Sequence, residues 1–372
     1  MLTQAVQWTE LAREIGPGFA ARAADHDEND AFVADNYTVL KENKVFSAMV
    51  PIEFGGGGVS HSAMCAFLRS LAHYCPSTAL ALSMHQHLVA AALFNHRHGR
   101  PGQKLLEAVG ARELVLVSTG ANDWLASSGE AVKVEGGYRV NANKPFASGS
   151  PAGSILVTSA PHEDPVEGHQ VLHFPVPIST DGVSVNLDWQ ALGMRGTGSG
   201  TVVLKDVFIA DAAVSLRRPR WKYHPAYNVI SVCALPLIMS VYVGVAESAA
   251  ERALAVSRKR GVMPLLLGEM QNNLISAQLA VDSMVTLAND LEFEPANELA
   301  SAMLSRKTLA SNAVIGTSAK ALEAAGGAGY LRVNGIERLL RDAYASQFHP
   351  LPERKQQELS GRILLGLEPV AV

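Results

Sequence analysis

The side chains best able to hold a metal or act as nucleophiles are twelve histidines and three cysteines, and their spacing argues against both roles. His85-Gln-His87 and His96-Arg-His98 each place two imidazoles at i and i+2. On a helix these point to different faces, so neither pair reads as a metal site, and surface or pocket histidines are expected. Cys65, Cys75 and Cys233 are an odd number without ligand spacing, which supports neither a disulfide framework nor zinc and fits a reducing cytoplasm. Gly196-Thr-Gly198-Ser-Gly200 lacks the third glycine of a dinucleotide-binding turn and lies among strand-like runs rather than between a strand and a helix. The chain has no P-loop, no His-Glu-x-x-His and no Gly-x-Ser-x-Gly elbow. Read alone, Ser148-Gly-Ser-Pro is ordinary turn chemistry, and the short basic run Arg258-Lys259-Arg260 is a helix terminus rather than a binding patch.

The elements that must position any site are legible in coarse outline. With 372 residues, 48% hydrophobic and 18% charged, the chain can bury a large core and should divide into two or three subdomains. A net charge of −4 gives no basic face for nucleic acid. The N-terminus lacks the basic and continuously apolar regions of a signal peptide, and Val6, Leu11 and Ile15 recur at helical spacing. Residues 1–112 read as helical. From Glu113 the character changes to short β-branched or alternating runs (LVLVST, AVKV, YRVNA, SILVTSA, VLHFPVPI, VSVNL, TVVLKDVFI) separated by turn residues, which predicts an all-β middle domain over 113–220. Long helices return over 221–372. Val229–Ala246 carries no charge and is long enough to span a membrane, but Pro236 and the amphipathic, charged continuation favour a buried core helix of a soluble protein. Met270, Leu274, Ala277, Val281, Met284, Ala288 and Leu291 alternate steps of four and three, the spacing of a bundle seam.

Five segments in order carry a family resemblance. Val50–Ser60 (VPIEFGGGGVS), Asn141–Ser150 (NANKPFASGS), Ala191–Ile209, Gly244–Arg260 and above all Leu322–Gly361, with its Gly-Gly-x-Gly-Tyr turn, Glu337-Arg338 and Arg341-Asp342-Ala343, resemble the acyl-CoA dehydrogenase superfamily. The resemblance implies an α+β chain: an N-terminal helical domain, a middle antiparallel β-barrel or sandwich, and a C-terminal four-helix bundle. It implies FAD, with FMN as the alternative, and a homo-oligomer, dimer or tetramer. The expected flavin contacts are Thr119, Phe146 and Ser148, with Arg260, Gln271, Glu323 and Gly327 serving the neighbouring subunit's adenine and pyrophosphate side.

Departures from the family pattern bear on the reaction. The usual catalytic Glu falls on Pro350, preceded by His349, and the alternative base position falls on Ala234; the charged acyl-CoA contacts fall on Val232 and Leu235. Thioester α-proton abstraction therefore lacks its obvious catalyst. His349 and Ser148 are instead similar to features of the flavin-dependent monooxygenases of this fold, which implies donors to a flavin C4a-hydroperoxide and His349 as acid or base. The implied partners are a small-molecule substrate and a flavin reductase or electron-transfer flavoprotein. Three readings stand at this point: a monooxygenase, an acyl-CoA dehydrogenase, and a flavin-binding protein without catalysis, with His349 then only a helix-end histidine.

Overall fold

The computed structural model describes residues 4–119, 123–260 and 264–371; the Arg260 side chain is outside that description, as are Gly120, Ala121, Asn122 and Met263. The first region is helical: α1 (Gln4–Glu28), α2 (Ala34–Glu42), α3 (His61–Ala72), α4 (Pro76–Arg97) and α5 (Gln103–Arg112). Ser60 caps α3 by accepting the Ala63 N–H, and Pro76 opens α4, where a missing N–H costs nothing. Helix α4 is apolar on most of its circumference and accordingly buried on most sides. The surface or pocket assignment fails for His85 on this helix, which is fully buried. Its Nδ1 accepts the Leu116 N–H (2.9 Å), so its Nε2 carries the proton and donates to the Phe46 carbonyl (2.8 Å). A neutral imidazole thus ties the helical region to the first strand.

The middle region holds β1 (Leu116–Ser118), β2 (Glu130–Val134), β3 (Gly137–Lys144), β4 (Ile155–Asp164), β5 (Gly168–Pro177), β6 (Val183–Val185), β7 (Val202–Ala210) and β8 (Leu216–Pro219). They form two four-stranded sheets, ordered β1-β4-β5-β8 and β2-β3-β7-β6. Strand β3 alternates buried and exposed positions, as a sheet with one covered face requires. One pairing departs from the antiparallel expectation: β1 runs parallel to β4, Leu116 opposite Ile155. Between them the chain crosses to the other sheet and returns as the β2-β3 hairpin, so β4 enters from the same end as β1.

Helices α6 (Ala226–Arg260), α7 (Pro264–Ala288), α8 (Asn297–Ala325), α9 (Gly327–Tyr330), α10 (Ile336–Tyr344) and α11 (Glu353–Leu364) complete the chain. Within α6, the one described helix long and apolar enough to cross a membrane, 89% of the most apolar window is buried inside the protein. Core burial, as expected, accounts for its composition. The α7 seam is buried at each expected position from Met270 to Ala288, and Leu291 closes it one turn further on.

Candidate active site

The turn after β3 presents an aromatic ring and a hydroxyl two residues apart. Phe146 adopts a left-handed backbone (φ 61°), uncommon for a bulky residue, and leaves 48% of its surface exposed. Its ring meets Trp189 edge-on, centroids 5.9 Å apart. Ser148 is half-buried, and its Oγ lies 2.7 Å from that of Ser199, which lies 2.7 Å from Thr197 Oγ1. The preceding Lys144 is buried and ion-paired to Asp123, Nζ 2.5 Å from Oδ2, and also donates to the Ser128 carbonyl. The Thr119 hydroxyl meets Thr158 Oγ1 at 2.5 Å.

Loop 189–200, which carries Thr197 and Ser199, is clamped to α10 by the Arg-Asp-Ala motif. Asp342, fully enclosed, accepts the Met194 N–H, and burial pushes its carboxyl up to about 6 despite that bond. Arg341 bridges Asp27 (2.5 and 3.0 Å) and donates to the Leu192 carbonyl. A Cβ on Gly193 would stand 2.3 Å from the Arg341 carbonyl, so glycine is what lets the loop lie against the helix. The motif that carries the strongest resemblance is therefore, in this chain, a fastener between sheet region and bundle.

Seven residues beyond Asp342 stands His349, between a short 3-10 turn (Ala345–Phe348) and α11. Its Nε2 lies 2.7 Å from the Tyr242 hydroxyl on α6. The phenol is fully buried, and burial drives its ionisation far above the ordinary range, so it keeps its proton. Since His349 is the partner found for that O–H, the network assigns Tyr242 as donor to Nε2, which puts the imidazole proton on Nδ1. Burial, then the nearby Lys307 and His87, push the His349 pKa down to about 3; the ring is neutral at physiological pH. Lys307, itself buried, donates to the carbonyls of Gln347 and Leu351 on either side of His349 and so holds that segment. Burial pushes its ammonium down to about 8, against the pull of Glu353. His87 also lies in this region, and burial pushes its imidazole down to about 4.

The structure brings Ser148, Phe146 and the His349 segment onto one framework through Ser199, Thr197, Met194 and Asp342, although no hydrogen bond joins Ser148 directly to His349 among the described residues. The other named residues gather elsewhere. Glu323 and Glu269 share Lys320 (2.9 and 2.7 Å), which sets Glu323 beside the α7 turn carrying exposed Gln271, and Gly327 follows at the end of α8. Among the described residues, none of this group hydrogen-bonds or ion-pairs with Ser148, Phe146, Thr119 or His349. Sequence reasoning missed Tyr242, Lys307, Thr197 and Ser199. Tyr242 is the one polar side chain of size in the uncharged stretch, a signal that was available.

Residues present here fit a flavin ring. A planar heteroaromatic would cover the Phe146 face that protein leaves open and meet the Ser148 hydroxyl two residues along, while the buried Tyr37 hydroxyl, 2.8 Å from where a Gly149 Cβ would stand, has no partner among the described residues.

Family models for the acyl-CoA dehydrogenase N-terminal and C-terminal domains match residues 8–106 and 237–353. Among curated proteins, cyclohex-1-ene-1-carbonyl-CoA dehydrogenase of Syntrophus aciditrophicus is 26% identical, over 95% of this chain and 86% of its own. An amino sugar nitrososynthase of Streptomyces peucetius is 28% identical, over 92% and 88%. The FMN-bound dibenzothiophene monooxygenase of Paenibacillus sp. A11-2 superposes with a TM-score of 0.83 at 20% identity, covering 98% of this chain and 99% of that one. With both helical regions matched and the α, β, α architecture in place, the chain belongs to the acyl-CoA dehydrogenase superfamily, a family of flavoprotein oxidoreductases.

Proposed function

We propose that this protein is a flavin-dependent monooxygenase acting on a small molecule, with acyl-CoA dehydrogenation as the competing reading. The observation that carries the proposal is a neutral imidazole, His349, buttressed by Tyr242 and Lys307 and standing one residue before Pro350, the position at which the family resemblance implies a carboxylate. Bound flavin, FAD or FMN, supplies the redox chemistry and the activation of oxygen. The protein's own groups do the rest. Phe146 supports the ring face, and Ser148 and Thr119 present hydroxyls to its polar edge. His349 offers an Nδ1–H, which suits donation to an oxygen atom better than proton abstraction from carbon. Lys307 fixes the backbone around that donor. The segment bounds follow the chemistry: a helical region over 1–112, the sheets over 113–220 and the bundle over 221–372.

The relatives' names support this reading. Two of the three act in oxidations other than thioester dehydrogenation by name, and the Paenibacillus enzyme was solved with FMN. The test is label incorporation. Photoreduced, flavin-loaded protein is mixed with isotopically labelled dioxygen and, as probes, indole, a thioether and a primary amine. Label is expected in one product, and His349→Ala should lower incorporation relative to hydrogen peroxide release by roughly 10²-fold, the lower end for loss of an acid/base group. Quantitative peroxide with every probe and no label would sink the proposal.

Arg260, Gln271, Glu323 and Gly327 are proposed to hold the distal half of FAD across a subunit boundary. Arg260→Ala should weaken FAD binding by roughly 1.5–3 kcal/mol, the range for a charge-assisted hydrogen bond, while leaving FMN affinity unchanged. Sedimentation of the loaded protein should show a dimer or tetramer. A flavin-loaded monomer, or an FAD affinity indifferent to the substitution, removes these residues from the site.

A further inference from the structure

We propose that Ser199 and Thr197 form a directional hydroxyl relay behind Ser148, which turns the Ser148 oxygen into a hydrogen-bond acceptor and so favours the reduced flavin, whose N5 bears a proton. The inference rests on the flavin reading above and adds to it a role for two residues that touch no ligand.

Each hydroxyl has one proton to donate. Thr197 Oγ1 donates to the Met194 carbonyl at 2.8 Å. At the 2.7 Å contact with Ser199, Thr197 can then only accept, so Ser199 is the donor. At the next 2.7 Å contact Ser199 has no proton left, so Ser148 donates to it. What Ser148 keeps for anything beyond the protein is its lone pairs, so the relay makes it an acceptor in place of the donor that the family resemblance implies. An N5–H matches that oxygen; the bare N5 of oxidised flavin, itself an acceptor, does not. Short contacts along such a chain also polarise one another, which sharpens the direction.

The surroundings fix the relay in place. Met194 is held through its N–H by Asp342, and its carbonyl also takes the Trp189 indole N–H at 3.0 Å. Thr197 and Ser199 are both buried, whereas Ser148 is half-buried at the open end. A Cβ on Gly200 would lie 2.1 Å from the Asn186 carbonyl and 2.9 Å from Asp188 Oδ1, so a side chain there would push Ser199 off its partners. Within the Gly-x-Gly-x-Gly pattern, unsuited to a dinucleotide, Gly200 thereby supplies the backbone clearance that keeps Ser199 on its partners.

Ser199→Ala frees the Ser148 proton to turn toward oxidised N5. The ratio of reduced to oxidised flavin affinity should fall about tenfold, the effect of one hydrogen bond made in one redox state only, which is about 30 mV lower in the midpoint of a two-electron couple. Dye-equilibrated redox titration and separate binding titrations of oxidised and reduced flavin read this independently of turnover. Thr197→Val should move the midpoint in the same direction, and Ser199→Thr should keep the wild-type value. In a Ser148→Ala background, Ser199→Ala should have no further effect. An unchanged midpoint in both single variants, or a shift that persists without Ser148, overturns the relay. Failure of the wild-type protein to bind flavin would instead overturn the function it rests on. Should Ser199→Ala not fold, Thr197→Val with and without Ser148→Ala decides the question in the same way.

Discussion

Anaerobic mixing of the flavin-loaded protein with short-, medium- or long-chain acyl-CoA is expected to leave its visible absorbance essentially unchanged on the timescale of turnover. Reduction, where seen, should be roughly 10²–10⁴-fold slower than a positioned carboxylate would support. Pro350 has no ionisable group, and the second base position, Ala234, is buried beside buried Val232 and Leu235 in the core of α6. Three of the buried or half-buried carboxylates are engaged. Asp342 holds the Met194 N–H, Asp123 pairs with Lys144, and Glu247 serves Arg69, His73 and Gln278, which outweigh its burial and hold it down to about 2. His349 cannot substitute. A ring whose pKa lies near 3 is a feeble base toward a carbon acid, and its resting tautomer presents a donor. Rapid stoichiometric bleaching by any ordinary acyl-CoA would restore the dehydrogenase. Asp342→Asn and Glu353→Gln would then locate the base, since Glu353 opens α11 three residues beyond Pro350 with its side chain exposed.

What could and could not be read in advance follows from how far apart the cooperating residues lie. All seven runs read as strands are strands, because β-branched alternation bounded by turn residues reports a local, one-sided burial. The α7 seam was legible for the same reason. Strand β8, Leu-Arg-Arg-Pro, carries no such signal. It exists because Arg218, 1% exposed, donates to the Leu125 carbonyl and to His173 Nε2 and lies 5.2 Å from the Tyr227 ring, partners that only the fold supplies. The site divides in the same way. Phe146 and Ser148 share one short segment, whereas Ser148 meets a residue 51 positions away and His349 one 107 positions away. The parallel β1-β4 pair was hidden too, since strand direction depends on the crossover between sheets and not on either strand's composition.

Acidification should unfold this protein early, with stability lost from just below pH 6.5. Burial pushes His85 and His87 down to about 4, and His173 and His349 down to about 3, with Arg218 adding to the effect at His173 and Lys307 and His87 at His349. The geometry agrees: a proton on His85 would set N–H against the Leu116 N–H, and His173 Nε2 already accepts from the Arg218 guanidinium. A folded pKa below the unfolded value of about 6.5 means that the unfolded chain binds protons first as pH falls. The stabilisation is therefore complete above pH 6.5 and lost progressively toward pH 4 and 3. Each such group contributes a slope of at most about 1.4 kcal/mol per pH unit, so four together approach roughly 5, less some allowance for the partly exposed His87 and His349. Asp342 acts in the opposite sense. Its folded pKa of about 6 exceeds the unfolded value, so it adds stability as pH falls from 6 toward 4, offsetting about one histidine. A net loss of several kcal/mol per unit is large against a total of roughly 5–15 kcal/mol. Urea midpoints measured from pH 7.5 to 5 should fall steeply below 6.5, and His173→Gln should flatten that fall by about one group's share. A midpoint that is level across the range would mean that these histidines are not held neutral in the folded protein, and with it the assignment of His349 as a neutral donor would go.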